Sequence, residues 1–191
     1  MAKFKVKDSF SICTGEYPFH QQLKKELVPV LKNYPDQQNK ATNVKATMTG
    51  WNFNTNPESM QIKKLKLYLT NALSSEYQYN LIGHSKTKQS ATLQNFWGNV
   101  YRKGEYTQPH NHWPTFDFSF VYFLKSKWYN SPLVFTDSGF RIRPKEGTYV
   151  LFHSLIKHHV PKHRFKDPRI TLSGNWSIAS IELGNGYSYY Y

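Results

Sequence analysis

Beyond Leu93 the apolar and aromatic residues come in short runs, at 94–102, 117–124, 132–136, 147–152, 158–161 and 169–182, divided by Gly, Pro, Asn and Asp. Connections this short cannot hold the helical crossovers that repeated parallel strand pairs need, so parallel α/β folds are excluded. No segment repeats at a fixed period, which excludes solenoids. An antiparallel sandwich or barrel is the architecture that remains.

The first half of the chain is different. Phe4 and Val6 alternate with lysines as in a short half-exposed strand, and Leu23, Leu27 and Leu31 stand at helical spacing interrupted by Pro29. Residues 33–58 are polar and loop-like, with room for one short strand near 44–49. A helix is predicted over 57–73, capped by Asn56 and started by Pro57, with Ile62, Leu65, Leu69 and Ala72 on one face. Lys63, Lys64 and Lys66 fall mostly off that stripe and read as a solvated face. A chain of 191 residues supports one core, so a single domain over 1–191 is expected, with 1–93 as mixed helical and loop support and 94–182 as the β core.

Composition narrows the chemistry. An aromatic share of 17% argues for a packed interior in spite of a mean hydropathy of −0.66. The net charge of +13 favours acidic partners: nucleic acid, an anionic surface or an anionic small molecule. Cys13 is the only cysteine, which rules out an intramolecular disulfide framework and Cys-rich zinc modules. No targeting signal is visible and no apolar run approaches the roughly 20 residues that span a bilayer, so a cytoplasmic location without membrane contact is expected, host cytoplasm if the gene is carried by a phage.

Five of the eight histidines fall in two sets, His110 and His112, then His153, His158 and His159. Residues at i and i+2 of an extended segment share a side, so His110 and His112 can face one metal, and a histidine from a later antiparallel strand can complete one face of it. His20, His84 and His163 show no partner pattern and, with His153 and His159, read as structural or solvent-facing. Trp97, Trp113 and Trp176 read as core aromatics or as the wall of a substrate mouth. Asn99 and Asn175 read as candidate pocket hydrogen-bonders.

Tyr101 to Gly104, the pair His110 and His112, His158 followed by His159 and Val160, and Arg169 with Thr171 occur in an order that resembles the Fe(II)- and 2-oxoglutarate-dependent dioxygenases. Within them it is similar to the prolyl-hydroxylase-like group found in phage and bacterial genomes. The resemblance covers about 95–178 and implies a mainly β chain with flanking helices, built on a double-stranded β-helix, the jelly-roll barrel that cupins share. It implies a dioxygenase that hydroxylates an unidentified protein, small molecule or nucleic acid with O2 and releases succinate and CO2. Iron would sit on His110, His112 and His158, while Arg169, Thr171 and Tyr101 would hold the distal carboxylate of 2-oxoglutarate.

The chain departs from the family at the second ligand, where a carboxylate is usual and His112 stands. Either three histidines hold the iron or Asp117, five residues on, supplies the carboxylate. The spacing at i+2 favours His112, because five residues carry Asp117 toward the next strand. Two other functions compete. A basic nucleic-acid-binding module would use Trp97, Tyr101, Tyr106 and Trp113 beside Arg102 and Lys103. A cupin-like metal- or sugar-binding protein without oxygenase activity would use the histidines and leave Arg169 unexplained. Substrate choice would lie on loops such as 33–58, 84–92 and 126–132.

Overall fold

The computed structural model describes residues 10–55, 58–80 and 88–181. The expected strand at Phe4 and Val6, the cap at Asn56 with Pro57, and His84 lie outside them. In chain order the elements are β1 (Ile12–Glu16), α1 (His20–Lys32), β2 (Val44–Lys45), β3 (Thr47–Met48), α2 (Met60–Asn80), β4 (Lys88–Tyr101), β5 (Tyr106–His110), β6 (Phe118–Lys125), β7 (Leu133–Phe135), β8 (Arg141–Ile142), β9 (Thr148–His153), β10 (His158–Val160) and β11 (Arg169–Ile181). The chain is mainly β, and its strands form two antiparallel sheets: β1-β9-β6-β11-β4-β3, and β2-β5-β10-β7-β8. This is the double-stranded β-helix.

Alternation along the strands sorts their side chains between the cavity enclosed by the two sheets and the outer face of the larger sheet. Phe120, Tyr122 and Leu124 of β6 and Leu172 of β11 join the core that the helices cover, whereas Val121 and Phe123 pack with Leu133, Phe135, Val150 and Phe152 toward the smaller sheet. β11 is the central seam, paired with β4 along its whole length and with β6 over Ile170–Trp176. A Cβ added at Gly174 would lie 2.5 Å from both the Asn95 carbonyl oxygen and the Phe120 ring, so this crossing admits only glycine. Gly104, at φ +92°, makes the turn from β4 to β5.

The helices cover the larger sheet. Leu23, Leu27 and Leu31 of α1 are fully buried, and Pro29 stays within the helix because it lies on the exposed face. α2 buries Ile62, Leu65, Leu69 and Leu73 in the same core, with Ala72 partly buried beside them. It begins three residues later than the spacing predicts, since Ser59 is the cap: its hydroxyl accepts the Ile62 N–H at 3.1 Å. Asn54 accepts the Ser59 N–H in turn.

Several features differ from expectation. β1, β5 and β8 are strands that the residue pattern does not announce, the single strand expected near 44–49 is two short strands, β2 and β3, that join different sheets, and β4 begins at Lys88, inside the segment expected to be the loop 84–92. The N-terminal half does more than support the barrel: β1 forms an edge of the larger sheet, β3 forms its other edge, and β2 starts the smaller one. Among the described residues no helix is long and apolar enough to cross a membrane.

The buried stripe of α2 carries a direct test. Leu65→Ala should lower unfolding free energy by about 2–5 kcal/mol, read as a lower urea midpoint at unchanged slope. Leu67→Ala, on a residue 64% exposed, should cost no more than about 0.5 kcal/mol. Equal effects would contradict the packing described.

Candidate metal centre

The mouth of the barrel is set by one strand register. His158, the first residue of β10, pairs directly with His110, the last of β5, and the pairing slips between His158 and Val160, where Val160 meets Thr107. His112 follows two residues after the strand ends and is tied down by its own N–H, which donates to the Ser154 carbonyl at 2.9 Å. One ring nitrogen from each of His110, His112 and His158 lies within 4.8 Å of the others. That separation suits three ligands around a single ion at metal–nitrogen lengths of about 2 Å.

Hydrogen bonds orient two of the three rings. His110 Nδ1 lies 2.8 Å from the Gln108 carbonyl and His158 Nδ1 lies 3.0 Å from the Ile156 carbonyl. A carbonyl only accepts, so both Nδ1 atoms carry the proton and both Nε2 atoms keep a free lone pair, the arrangement typical of metal-ligating imidazoles. His158 is also held edge-on to Phe152, with ring centroids 4.8 Å apart. Burial lowers the pKa of all three, His112 to about 3 and His158 well below the usual value, with neighbouring imidazoles adding to the shift at His112 and His158. All three are therefore neutral near pH 7 and chemically ready to coordinate.

Asp117 does not join them. Its Oδ2 accepts the Ile178 N–H at 2.7 Å, which fixes the entry to β6 against β11. Of the two candidates for the second position, the structure brings His112 to the cluster. The other histidines among the described residues are engaged elsewhere: His20 with the Tyr122 hydroxyl, His159 with Thr136, His163 with the Asp167 carbonyl, and His153 with the Leu155 N–H.

Arg169 lies in the same cavity, which His110, His112 and His158 line together with Tyr101, Thr107, Asn99 and Thr171. β11 starts at Arg169, opposite Tyr101 of β4, and two residues on Thr171 points into the same space. The guanidinium is fully buried, and none of its three nitrogens has a hydrogen-bond partner among the described residues. It rests on the rings of Tyr101 and Phe123, at 4.9 and 5.3 Å from their centroids. Burial lowers its pKa from the ordinary guanidinium value, and among the described residues no carboxylate side chain lines the cavity to offset that cost. Asn99 Oδ1, Trp97 Nε1 and Asn175 Nδ2 are further buried polar atoms of the lining without a protein partner. Such atoms mark a cavity shaped for a polar ligand.

Tyr101 and Asn175 are held by partners that the sequence does not single out. The Tyr101 hydroxyl shares a 2.7 Å hydrogen bond with Thr107, and the Ser119 hydroxyl, itself 2.7 Å from Ser154, donates to Asn175 Oδ1. Thr107 is the one buried position of β5, a signal obscured by Pro109 and by the broken alternation of that strand. Of the tryptophans, Trp176 belongs to the core and donates to Thr70, Trp97 is buried beside His112 at 6.1 Å between rings, and Trp113 is exposed. A second groove, lined by Asn43, Lys45, Trp51, Gln108 and Asn111, opens onto His110 and His112 from outside.

No protein-family model matches the chain, and no curated protein does. Solved structures do. A prolyl-4-hydroxylase from Pseudomonas putida is 14% identical with a TM-score of 0.66, over 88% of this chain and 93% of that one. A viral collagen prolyl hydroxylase from Paramecium bursaria Chlorella virus-1, in complex with 2-oxoglutarate, is 15% identical with a TM-score of 0.58, over 87% and 94%. A prolyl hydroxylase from Trichoplax adhaerens, in complex with a peptide fragment of the hypoxia-inducible factor oxygen degradation domain, is 15% identical with a TM-score of 0.62, over 87% and 83%. At this identity the likeness establishes a shared fold.

The buried imidazoles also govern acid stability. Free imidazole in the unfolded chain titrates near 6.5, whereas His112 in the fold resists protonation until about pH 3. Between those values the unfolded state binds the extra proton, so stability is complete above about 6.5 and falls as pH drops, by up to about 1.4 kcal/mol per pH unit for this group. In the metal-free protein, His112→Gln should show a smaller fall in urea midpoint from pH 7 to pH 4.5 than the wild type. Identical falls would mean that the fold does not hold His112 neutral.

Proposed function

We propose that the chain is an Fe(II)- and 2-oxoglutarate-dependent oxygenase that hydroxylates a substrate reaching the histidine cluster through the outer groove. The observation that carries this reading is the buried, unpartnered Arg169 guanidinium in one cavity with three convergent neutral imidazoles. A buried cation without a protein anion is costly, and a dicarboxylate cosubstrate that also reaches the metal satisfies both ends of the cavity at once.

The roles follow from the donor set. His110, His112 and His158 would hold the iron through one ring nitrogen each, with the Gln108 and Ile156 carbonyls fixing the tautomer and angle of two of them. Arg169 would take the distal carboxylate, which a planar guanidinium can grip with two parallel N–H donors. Thr171 and the Tyr101 hydroxyl, positioned by Thr107, would add neutral hydrogen bonds beside it. Phe120, Val121, Leu133 and Phe152 line the rest of the cavity and exclude water from it. Iron and 2-oxoglutarate, when bound, supply the activation of O2, with succinate and CO2 as coproducts. Three neutral imidazoles leave the ion one positive charge richer than the usual pair of histidines and a carboxylate, which strengthens its attraction for anionic ligands.

The groove over His110 and His112 suits the substrate side, because the Trp51 indole, the amides of Asn43, Gln108 and Asn111 and the Lys45 ammonium offer both stacking and hydrogen bonding there. A peptide fragment is bound by the Trichoplax adhaerens relative of the same fold, and a peptide is accordingly the first substrate class to screen.

Arg169→Ala should weaken 2-oxoglutarate binding by about 30- to 1,000-fold, the equivalent of roughly 2–4 kcal/mol, while Fe(II) binding persists. Arg169→Lys should recover only part. The check is an anaerobic titration of 2-oxoglutarate into the Fe(II)-loaded protein, read by the metal-to-ligand absorption band and followed by succinate formation in air. Equal affinities in wild type and Arg169→Ala would contradict the assignment.

A further inference from the structure

The histidine cluster lies where β5 ends and β10 begins; at the other end of those strands Val160 pairs with Thr107, and in the larger sheet Arg169 of β11 pairs with Tyr101 of β4 and Ile170 with Lys125 of β6. The connections 102–105, 126–132 and 161–168 meet at this second end, joined by Gly104 N–H to the His163 carbonyl, His163 N–H to the Glu105 carbonyl, and the Ser131 hydroxyl to the Lys162 carbonyl. They carry six cations, Arg102, Lys103, Lys127, Lys162, Arg164 and Lys166, against Glu105 and Asp167. All six are exposed, and among the described residues none is ion-paired; the Arg102 guanidinium donates to the Thr47 hydroxyl and the Lys32 carbonyl, which leaves the other five for a ligand, while Glu105 is already engaged by Lys40 and by the Arg102 N–H.

Aromatic rings are interleaved with that charge. Trp128 is 71% exposed and Phe165 38% exposed. Tyr129 bridges them, with ring centroids 5.8 Å from Trp128 and 4.6 Å from Phe165, and Lys162 lies over the Tyr106 ring at 5.8 Å. A surface indole this open is held by no packing need of the fold. Trp97 and Tyr101, which the sequence offers as stacking residues, are buried and cannot serve, so at this end of the barrel the open rings are Trp128 and Phe165, with the half-buried Tyr129 between them.

We propose that this end of the barrel, remote from the histidine cluster, binds single-stranded nucleic acid. Unpaired lysines and arginines suit a phosphate backbone, and the open aromatic faces suit unpaired bases, a combination that a bare polyanion or an anionic membrane does not require. The net charge of +13 adds long-range attraction for the same partner.

The test is fluorescence anisotropy of a labelled 12-nucleotide single strand against the full chain, with the same sequence as a duplex, polyphosphate of matched charge, and phosphatidylserine vesicles as comparators. The single strand should bind best, quench tryptophan emission, and weaken linearly with log salt concentration. Trp128→Ala, at an exposed position that the fold does not need, should weaken single-strand binding about 5- to 100-fold and leave polyphosphate binding unchanged. Replacing Lys127, Arg164 and Lys166 together with Ala should flatten the salt slope by about 2. His158→Ala should bind the strand like wild type, which separates this surface from the oxygenase assignment. No binding at 50 mM salt, or equal binding of polyphosphate with no effect of Trp128→Ala, would overturn the proposal.

Discussion

A buried guanidinium whose nitrogens find no hydrogen-bond partner, in a cavity with no carboxylate side chain in its lining, both among the described residues, is the constraint on which the interior depends. Taking a charge out of water carries a penalty of several kcal/mol even after relaxation, and Arg169 recovers part of it from the Tyr101 side chain and from the faces of Tyr101 and Phe123. The imbalance makes sense as half of a pair whose other half is a ligand. Under the proposed function, an ion on the neutral imidazoles and the arginine would be two cationic anchors lining one cavity, which a molecule with acid groups at both ends would bridge.

The strand registers make that arrangement rigid. β11 carries Arg169 and Thr171 as the central seam of the larger sheet, locked on both sides by β4 and β6, and the smaller sheet brings His110 and His158 face to face by direct pairing. Backbone carbonyls and hydroxyls then orient the side chains: Gln108 and Ile156 for the histidines, Thr107 for Tyr101, Ser119 for Asn175. The candidate site residues, His112 apart, thus sit on elements whose geometry the core determines, with α1 and α2 covering the outer face of the sheet that holds Arg169.

How much of this was legible in the sequence follows from where local pattern and tertiary role coincide. The β-branched and aromatic runs announce β6, β9, β10 and β11 nearly to the residue, and the Ile62, Leu65, Leu69 spacing announces α2, because burial on one face imposes a period. β1 and β5 escape notice, since Gly15 and Pro109 weaken strand propensity and only pairing with β9 and β10 makes them strands. The histidine cluster is legible as a spacing; the partners that orient it, Ser154, Gln108 and Ile156, are backbone carbonyls that carry no residue code. Burial of Trp97 and Tyr101 depends on which face of β4 turns to the cavity, and exposure of Trp128 and Phe165 on where their loops lie, neither of which one sequence states.

Three imidazoles, His110, His112 and His158, with no side-chain carboxylate among the described residues beside them, are the proposed metal ligands. X-ray absorption of the Fe(II)-loaded chain, combined with titration of one Fe(II) per chain into His110→Ala, His112→Ala, His158→Ala and Asp117→Asn, tests this assignment most directly. The account predicts imidazole scattering from three ligands in the wild type, loss of iron in each histidine variant, and full iron binding in Asp117→Asn. Iron binding that survives His112→Ala and is abolished by Asp117→Asn would contradict it.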